Sequence, residues 1–222
     1  MSTDHQARRR PAARTSRQTG ARALRELLRH ARILKYRALS DCARVSGSPI
    51  TLQPLLCLGE GAIVLGHDVQ FGWPTSNSFH TGYCHLEVVT AGSVIEIGDG
   101  AEINNNAFIK SEGAGIRIGQ GALLGSEVTI YDSDFHDLRP GRRRGGWPLM
   151  AEVELGEDVF IGDRVVILKG VRIGAHSVIG AGSVVTRAIP EGVIAAGNPA
   201  RVIRAISEQE QKISAVVSVN SP

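Results

Sequence analysis

Aliphatic residues recur every six positions in the segment from Leu155 to Gly197. Neither the 3.6-residue period of an α-helix nor the alternation of a plain β-strand produces this spacing. Four residues after each aliphatic position stands a small or β-branched residue, and Gly directly follows four of the six. Short strands ended by turns fit such a unit, because Gly makes a tight turn sterically cheap. The regular positions are Leu155, Ile161, Ile167, Ile173, Ile179 and Val185.

The same six-residue phase runs through an earlier part of the chain. It starts at Ile97, is broken by three extra residues within Ser111–Gly115, and resumes at Ile118. Residues 50–96 hold recurrent Leu-Gly pairs, and we expect irregular first rungs there. Sustained self-similarity at this period predicts a solenoid β-helix, in which each rung buries its aliphatic residues against the next.

A gap of 25 residues separates Ile130 from Leu155, and part of it carries no aliphatic period. The stretch that begins at Asp132 reads DSDFHDLRPGRRRGGWP, which is charged and contains Gly and Pro. We interpret residues 131–150 as a loop expelled from one rung. Long loops on a rigid scaffold usually carry function.

His136 is the candidate catalytic residue of this loop. An unperturbed imidazole titrates at about pH 6.5, so it can accept a proton at neutral pH. Asp132, Asp134 and Asp137 flank it, and any of them could orient the ring. A solvated histidine without function is the alternative. The three arginines at 142–144 could face a phosphate or an anionic sugar, or only solvent.

The composition of the 222 residues favours one elongated domain with many Gly corners and few aromatic residues. No run of about 18 apolar residues occurs, so we expect no transmembrane helix, and the N-terminus lacks the apolar core of a secretory signal. Cys42, Cys57 and Cys84 match neither a disulfide framework nor a zinc spacing, which favours buried thiols in a reducing cytosol. We therefore expect a cytoplasmic protein, with the inner face of the membrane as a further option.

Positive charge is concentrated at the N-terminus. Residues 1–40 contain eleven Lys or Arg and two acidic residues, a net charge of +9, and the remaining chain carries −6. Residues 1–18 are predicted to be disordered, and a basic amphipathic helix is predicted from Thr19. This helix could pack on the end of the solenoid, or make a peripheral contact with an anionic membrane. Nucleic-acid binding is disfavoured, because no base-stacking aromatic residues accompany the charge.

The chain therefore divides into three segments. We predict a basic extension with its helix over residues 1–45, a β-helix over residues 46–204, and a C-terminal helix and tail over residues 205–222. That last helix is expected within Ala200–Lys212.

Three motifs resemble the hexapeptide-repeat acyltransferases: YDSDFH (131–136), EDVFIG (157–162) and AGNPARVIR (196–204). The similarity is to the galactoside and maltose O-acetyltransferases and to acetyltransferases of surface-polysaccharide synthesis, and it covers roughly residues 97–204. It implies an all-β, left-handed parallel β-helix that uses acetyl-coenzyme A, takes a saccharide acceptor and works as a homotrimer with grooves between prisms. His136 matches the base that takes a proton from a sugar hydroxyl in a direct transfer.

Other site residues carry over from the same resemblance by position. Asn106 matches an Asn near the acceptor, Asn104 is the fallback because the insertion blurs the register, and a structural Asn ladder is the alternative. Phe160 stands where the family often has Trp, and Asp163 stands where it has a coenzyme-binding Ser. The remaining coenzyme contacts match Ala181, Thr186, Arg187, Arg201 and Arg204. Arg suits the phosphates of coenzyme A, although a solvated face is the alternative for the last two.

Three other functions stay open. An amino-sugar N-acetyltransferase would use the same base. A metal lyase like the γ-class carbonic anhydrases would use histidines five apart, a spacing that His80 and His85 have, although no third His is placed on the rungs. A non-catalytic scaffold is the third. On the primary interpretation no metal is required.

Overall fold

The structure, a computed structural model, describes residues 16–207, with side chains from residue 19 onward. Helix α1 (Ser16–Leu39) is followed by short strands, and over the first eighteen strands every third one joins the same sheet. Three strands therefore make one rung of a three-sided prism. The predicted all-β parallel β-helix is confirmed.

Each side of the prism is one sheet. The first sheet contains β1 (Arg44–Ser46), β4 (Ala62–Leu65), β7 (Val94–Ile97), β10 (Ile116–Ile118), β13 (Val153–Leu155) and β16 (Arg172–Ile173). The second contains β2 (Ile50–Thr51), β5 (Gln70–Phe71), β8 (Glu102–Ile103), β11 (Leu123–Leu124), β14 (Phe160–Ile161), β17 (Val178–Ile179), β19 (Val193–Gly197) and β20 (Ala200–Ala205). The third contains β3 (Leu55–Gly59), β6 (Cys84–Val88), β9 (Phe108–Ser111), β12 (Thr129–Tyr131), β15 (Val166–Ile167) and β18 (Val184–Val185).

The six-residue phase becomes the core of the prism. Ile118 of one rung pairs with Ile97 below it and with Leu155 above it, and the other two sheets repeat this stacking. These side chains are almost completely buried, and burial of one contributes about 1.5–3 kcal/mol. The first rungs, expected to be irregular, keep the same register, since Leu65 pairs with Ile97 and Phe71 with Ile103.

Two segments leave the rungs. Residues 72–83 connect β5 to β6 at the corner between the second and third sheets, and the spacing of the aliphatic residues does not predict this excursion. Residues 132–152 connect β12 to β13 at the corner between the third and first sheets. The second excursion is the predicted loop, and it carries His136.

The end of the described chain differs from the prediction. Ala200–Ala205 form β20, antiparallel to β19, so the predicted C-terminal helix is wrong for these residues. The physical reason is the exposed edge of β19, whose backbone groups need hydrogen-bond partners. The rest of that helix and the tail, residues 208–222, lie outside the described residues.

Helix α1 confirms the predicted basic helix, but it begins at Ser16 rather than Thr19. Once a helix is nucleated, a few further residues extend it at little cost. The disorder predicted for residues 1–15 lies outside the described residues. Tyr36 of α1 stacks on Tyr83 with ring centroids 4.4 Å apart, so the helix packs beside the first rungs. In the described part of the chain, no helix combines the length and apolar character needed to cross a bilayer.

Candidate active site

A buried carboxylate anchors the base of the His136 loop. Asp132 follows β12 directly and accepts hydrogen bonds from Ser111 Oγ at 2.7 Å and from the backbone N–H of Glu112 at 2.8 Å. The N–H groups of Ala114 and Gly115 also donate to it, each at 2.9 Å. Asp132 thus fixes both the inserted turn of the rung below and the first residue of the loop.

His136 is exposed, and its ring is held by the loop itself. Nδ1 lies 3.0 Å from the carbonyl oxygen of Arg143. Because a carbonyl only accepts, Nδ1 must carry the proton in this contact, which leaves Nε2 with a free lone pair in the neutral ring. The backbone N–H of His136 donates to Asp134 O at 2.7 Å. The loop therefore presents Nε2 as the basic atom.

The carboxylates expected to orient this ring have other partners. Asp132 binds Ser111 and the backbone, and Asp134 Oδ2 lies 3.3 Å from Lys169 Nζ. Asp137 is paired with Arg139. The prediction that a neighbouring Asp orients His136 is replaced by the Arg143 carbonyl, because the chain folds back on itself within the loop.

Asp137 holds the middle of the loop together. Its side chain is only 4% exposed and pairs with Arg139. It also accepts the backbone N–H of Arg139 at 2.9 Å. The side-chain hydrogen bond from Arg139 is the main cause that lowers the pKa of Asp137 to about 2. Gly146 passes so close that an added Cβ would lie 2.1 Å from Asp137 Oδ2, so the loop is packed around this ion pair.

The three consecutive asparagines have three different surroundings. Asn105 is fully buried, accepts from the N–H of Trp73 at 2.9 Å and donates to two carbonyls of the 72–83 segment, which makes it structural. Asn104 Nδ2 donates to Ser76 Oγ at 2.9 Å. Asn106 donates its backbone N–H to Gln53 Oε1 at 2.9 Å, and its own Oδ1 is buried against Gly82.

A groove of about 330 Å³ lies on the second sheet. Asn104, Phe160 and Asp163 line it together, whereas Asn106 lies outside it. Asp163 Oδ1 also accepts the N–H of Ser126 at 2.7 Å, so this carboxylate holds the corner of the preceding rung. The fallback Asn104, rather than the preferred Asn106, therefore shares a surface with the aromatic residue and the Asp.

The residues matched to coenzyme contacts lie on the last rungs. Gly182 N donates to Asp163 O at 2.8 Å, which stacks the corner of Ala181 on that of Asp163. Thr186 and Arg187 follow β18 and are exposed. The two matched arginines of β20, Arg201 and Arg204, are exposed on the strand that pairs with β19.

Within one chain these residues divide between two corners of the prism. The Asn104–Asn106 stretch, Asp163 and Ala181 lie at the corner between the second and third sheets. His136, Thr186 and Arg187 lie at the corner between the third and first sheets. The base and the groove of a single chain are thus separated by the width of the third sheet.

Aromatic rings cover the outside of the third sheet up to the His136 loop. Ring centroids are 4.9 Å apart between His85 and Phe108, 5.8 Å between Phe108 and Tyr131, and 4.9 Å between Tyr131 and Phe135. Burial lowers the pKa of His85 and raises that of Tyr131. Phe135 precedes His136, so this ladder supports the loop from below.

His80 and His85 do not form part of a metal cluster. His80 packs edge-on against Phe79, and His85 belongs to the aromatic ladder. Among residues 16–207, no group of three or more His, Cys, Asp or Glu side chains is arranged to hold a metal ion.

Several groups that shape the candidate site were not predicted from the sequence. The Arg143 carbonyl and the Lys169 partner of Asp134 have no sequence signal. The structural role of Asn105 did have a sequence signal. Asn105 stands two residues after an aliphatic core position, as Asp99 and Asp163 do. The side chain of each of these three residues accepts a backbone N–H at a corner of the preceding rung.

Comparison with known proteins agrees with this architecture. Residues 152–187 match the family model described as bacterial transferase hexapeptide (six repeats). The galactoside O-acetyltransferase of Escherichia coli is 40% identical over 120 residues, which cover 54% of this chain and 58% of that protein. The enzyme of the same name from Lactococcus lactis is 38% identical over 121 residues, 54% of this chain and 58% of that protein. The chain thus spans less than two thirds of these relatives.

Among solved structures, a hexapeptide-repeat acetyltransferase from Vibrio cholerae in complex with acetyl-coenzyme A is similar to this chain. It has 25% sequence identity and a TM-score of 0.50, and the match covers 87% of this chain and 91% of that one. The predicted resemblance to hexapeptide-repeat transferases is confirmed, and the neighbours agree with the left-handed coil that it implies.

Proposed function

We propose that this chain, which carries the hexapeptide repeat of bacterial transferases, moves an acetyl group from acetyl-coenzyme A to a hydroxyl of a saccharide. The observation that carries the proposal is the contact of His136 Nδ1 with the Arg143 carbonyl, which leaves Nε2 as the basic atom of an exposed ring. The similarity to galactoside O-acetyltransferases supports a sugar acceptor.

In the proposed step, Nε2 of His136 takes the proton of the acceptor hydroxyl while the hydroxyl oxygen attacks the thioester carbonyl carbon. A carbon–oxygen bond forms, the carbon–sulfur bond breaks, and the proton passes from His136 to the departing sulfur. The transfer is direct, so no acyl-enzyme forms. Preorganised N–H donors would stabilise the oxyanion of the transition state.

The coenzyme is proposed to lie along the last rungs. Since Ala181 lies at a different corner from Thr186 and Arg187, the pantetheine arm would contact Ala181 of one copy and Thr186 and Arg187 of another. Arg201 and Arg204 would meet the phosphates, to which Arg is well suited. Asn104, beside Phe160 in the groove, is the better supported acceptor contact, and Asn106 is the other candidate. Asp163 already holds Ser126, which favours a structural role over the Ser-like coenzyme contact.

We further propose that the complete site lies between two copies of a homotrimer. One chain places His136 and Ala181 at different corners, so a neighbouring prism would bring the base of one copy to the Ala181 corner of the other. Co-expression of His136→Ala with Ala181→Arg chains tests this. Mixed assemblies should regain activity that neither variant has alone, and no recovery would mean that both groups act from one chain.

Thiol release from acetyl-coenzyme A, with product identification, tests the function. We expect turnover with galactosides, maltose or lipid-linked glycans, with acetylation on oxygen, and amino sugars serve as the matched N-acetylation arm. His136→Ala should lower kcat by about 10²–10⁴-fold. The control is His176→Ala, which should behave like wild type. His176 is an exposed histidine on the rungs and pairs with Asp158. A His136→Ala enzyme that kept more than about a tenth of the rate would refute the base.

A further inference from the structure

Helix α1 presents its leucines to solvent and a mixed stripe that includes two arginines to the protein. The half-buried residues are Arg29, Arg32, Ile33 and Tyr36, which form one stripe along the helix. The leucines lie on the opposite side. An ordinary surface helix does the reverse, with its apolar face on the core.

Contacts of Arg29, Arg32 and Tyr36 with the body of the protein fix this orientation. Arg29 Nη1 donates to Leu52 O at 3.4 Å, and Arg32 donates to Phe79 O at 3.3 Å and also to Gly82 O. The stacking of Tyr36 on Tyr83 completes the attachment. Because Arg29 and Arg32 are held by backbone carbonyls of the body, the helix cannot rotate its leucines inward without losing these bonds.

The outward leucines form a continuous apolar surface. A contiguous exposed patch of this kind marks an interaction site more often than an accident of folding. The exposed fractions are 56% for Leu24, 66% for Leu27, 54% for Leu28 and 65% for Leu34.

Cations lie within and beside this surface. At about 100° per residue, Lys35 falls within the leucine arc and Arg37 falls beside it, next to Leu34, and both are exposed. Glu26 is the acidic residue of the helix, and it is paired with Arg29 at 2.9 Å. The sequence before the helix adds Arg8, Arg9, Arg10 and Arg14.

We propose that α1 lies flat on an anionic lipid surface, with its leucines at the acyl boundary and its cations among the headgroups. A leucine face with cations beside it is the pattern of helices that bind in the plane of such a surface. The first sheet of a second copy is a poorer partner for these cations. Carboxylates of that sheet are already paired, as Glu96 with Arg117 and Glu154 with Arg172. The proposal does not depend on the proposed acetyl transfer.

Flotation of the full chain with vesicles tests this. We expect binding to phosphatidylcholine vesicles that contain about 30 mol % phosphatidylglycerol, no binding to phosphatidylcholine alone, and release in about 0.5 M salt. Arg37→Gln and Lys35→Gln should each weaken binding by about fivefold.

The leucine variants separate a lipid surface from a protein partner. Leu27→Glu/Leu34→Glu should reduce vesicle binding by more than about tenfold with an unchanged thermal melt, because these side chains are exposed. Ile203→Glu adds one carboxylate at a 64% exposed residue of β20 and should bind like wild type. The proposal is overturned if wild type does not float, if it binds neutral vesicles equally well, or if the leucine variant loses oligomer mass while binding normally.

Discussion

Ser111 Oγ donates to Asp132 Oδ2 at 2.7 Å, and both side chains are buried between adjacent rungs. This contact joins the only insertion in the six-residue phase of residues 97–130 to the start of the His136 loop. The irregularity in the sequence and the His136 loop are therefore one structural unit.

Removal of this carboxylate should destabilise the unit. Asp132→Ala leaves Ser111 Oγ and several backbone N–H groups without an acceptor, so we expect the free energy of unfolding to fall by about 2–3 kcal/mol. Urea denaturation followed by circular dichroism measures it. Glu60→Ala changes an exposed carboxylate and should stay within about 0.5 kcal/mol of wild type. Equal stability of the two variants would contradict the role of Asp132.

The loop should also respond to acid. The pKa of Asp137 is lowered from 3.8 to about 2, chiefly by its hydrogen bond to Arg139, so its charged form stabilises the folded loop. That stabilisation is complete above about pH 4 and is lost as the pH falls towards 2. Carbon-13 titration of the Asp137 carboxyl should give a midpoint near 2, and Arg139→Gln should raise it. A wild-type midpoint near 3.8 would show that the ion pair is absent in solution.

Adjacent glycines of the loop offer a matched pair. A Cβ on Gly146 would lie 2.1 Å from Asp137 Oδ2, whereas a Cβ on Gly145 would meet no atom within 4 Å. Gly146→Ala should displace the ion pair and misplace His136, which lowers kcat by about tenfold to a hundredfold. Gly145→Ala should retain wild-type kcat. If both variants turned over normally, the geometry of the loop would not matter for the reaction.

A second glycine pair tests the packing of Asn106. A Cβ on Gly82 would lie 1.5 Å from Asn106 Oδ1, and one on Gly92 would meet nothing within 4 Å. We expect Gly82→Ala to lower the free energy of unfolding by about 1–3 kcal/mol through overpacking, and Gly92→Ala to have little effect. Thermal and urea unfolding of both variants measures these changes in stability. Insensitivity at residue 82 would mean that Asn106 moves freely.

The sequence predicted the repeated part of the fold because each core position repeats a neighbour at fixed spacing. Ile97, Ile118 and Leu155 stack as that spacing requires. The excursion at residues 72–83 was missed, since it lies where Leu-Gly pairs alone mark the rungs. The strand Ala200–Ala205 was taken for a helix because its partner edge on β19 exists only in the folded molecule.

At the candidate site, the sequence predicted the loop and its histidine but not what surrounds them. His136 is recognisable as the titratable residue of a long insertion. Its partner is a main-chain carbonyl, which any residue type at position 143 could supply. The roles of the asparagines were not separable either, because Asn104, Asn105 and Asn106 are identical in type and differ only in which way the corner turns them.

The antiparallel return of β20 gives the solenoid a defined end. A parallel stack of rungs is open to growth, because its terminal strand can accept another strand from any chain. By folding back on β19, residues 200–205 occupy that position on one of the three sides with the molecule's own backbone. Truncation before Ala200 would reopen this edge, and fibrous aggregation is the hazard that the short hairpin guards against.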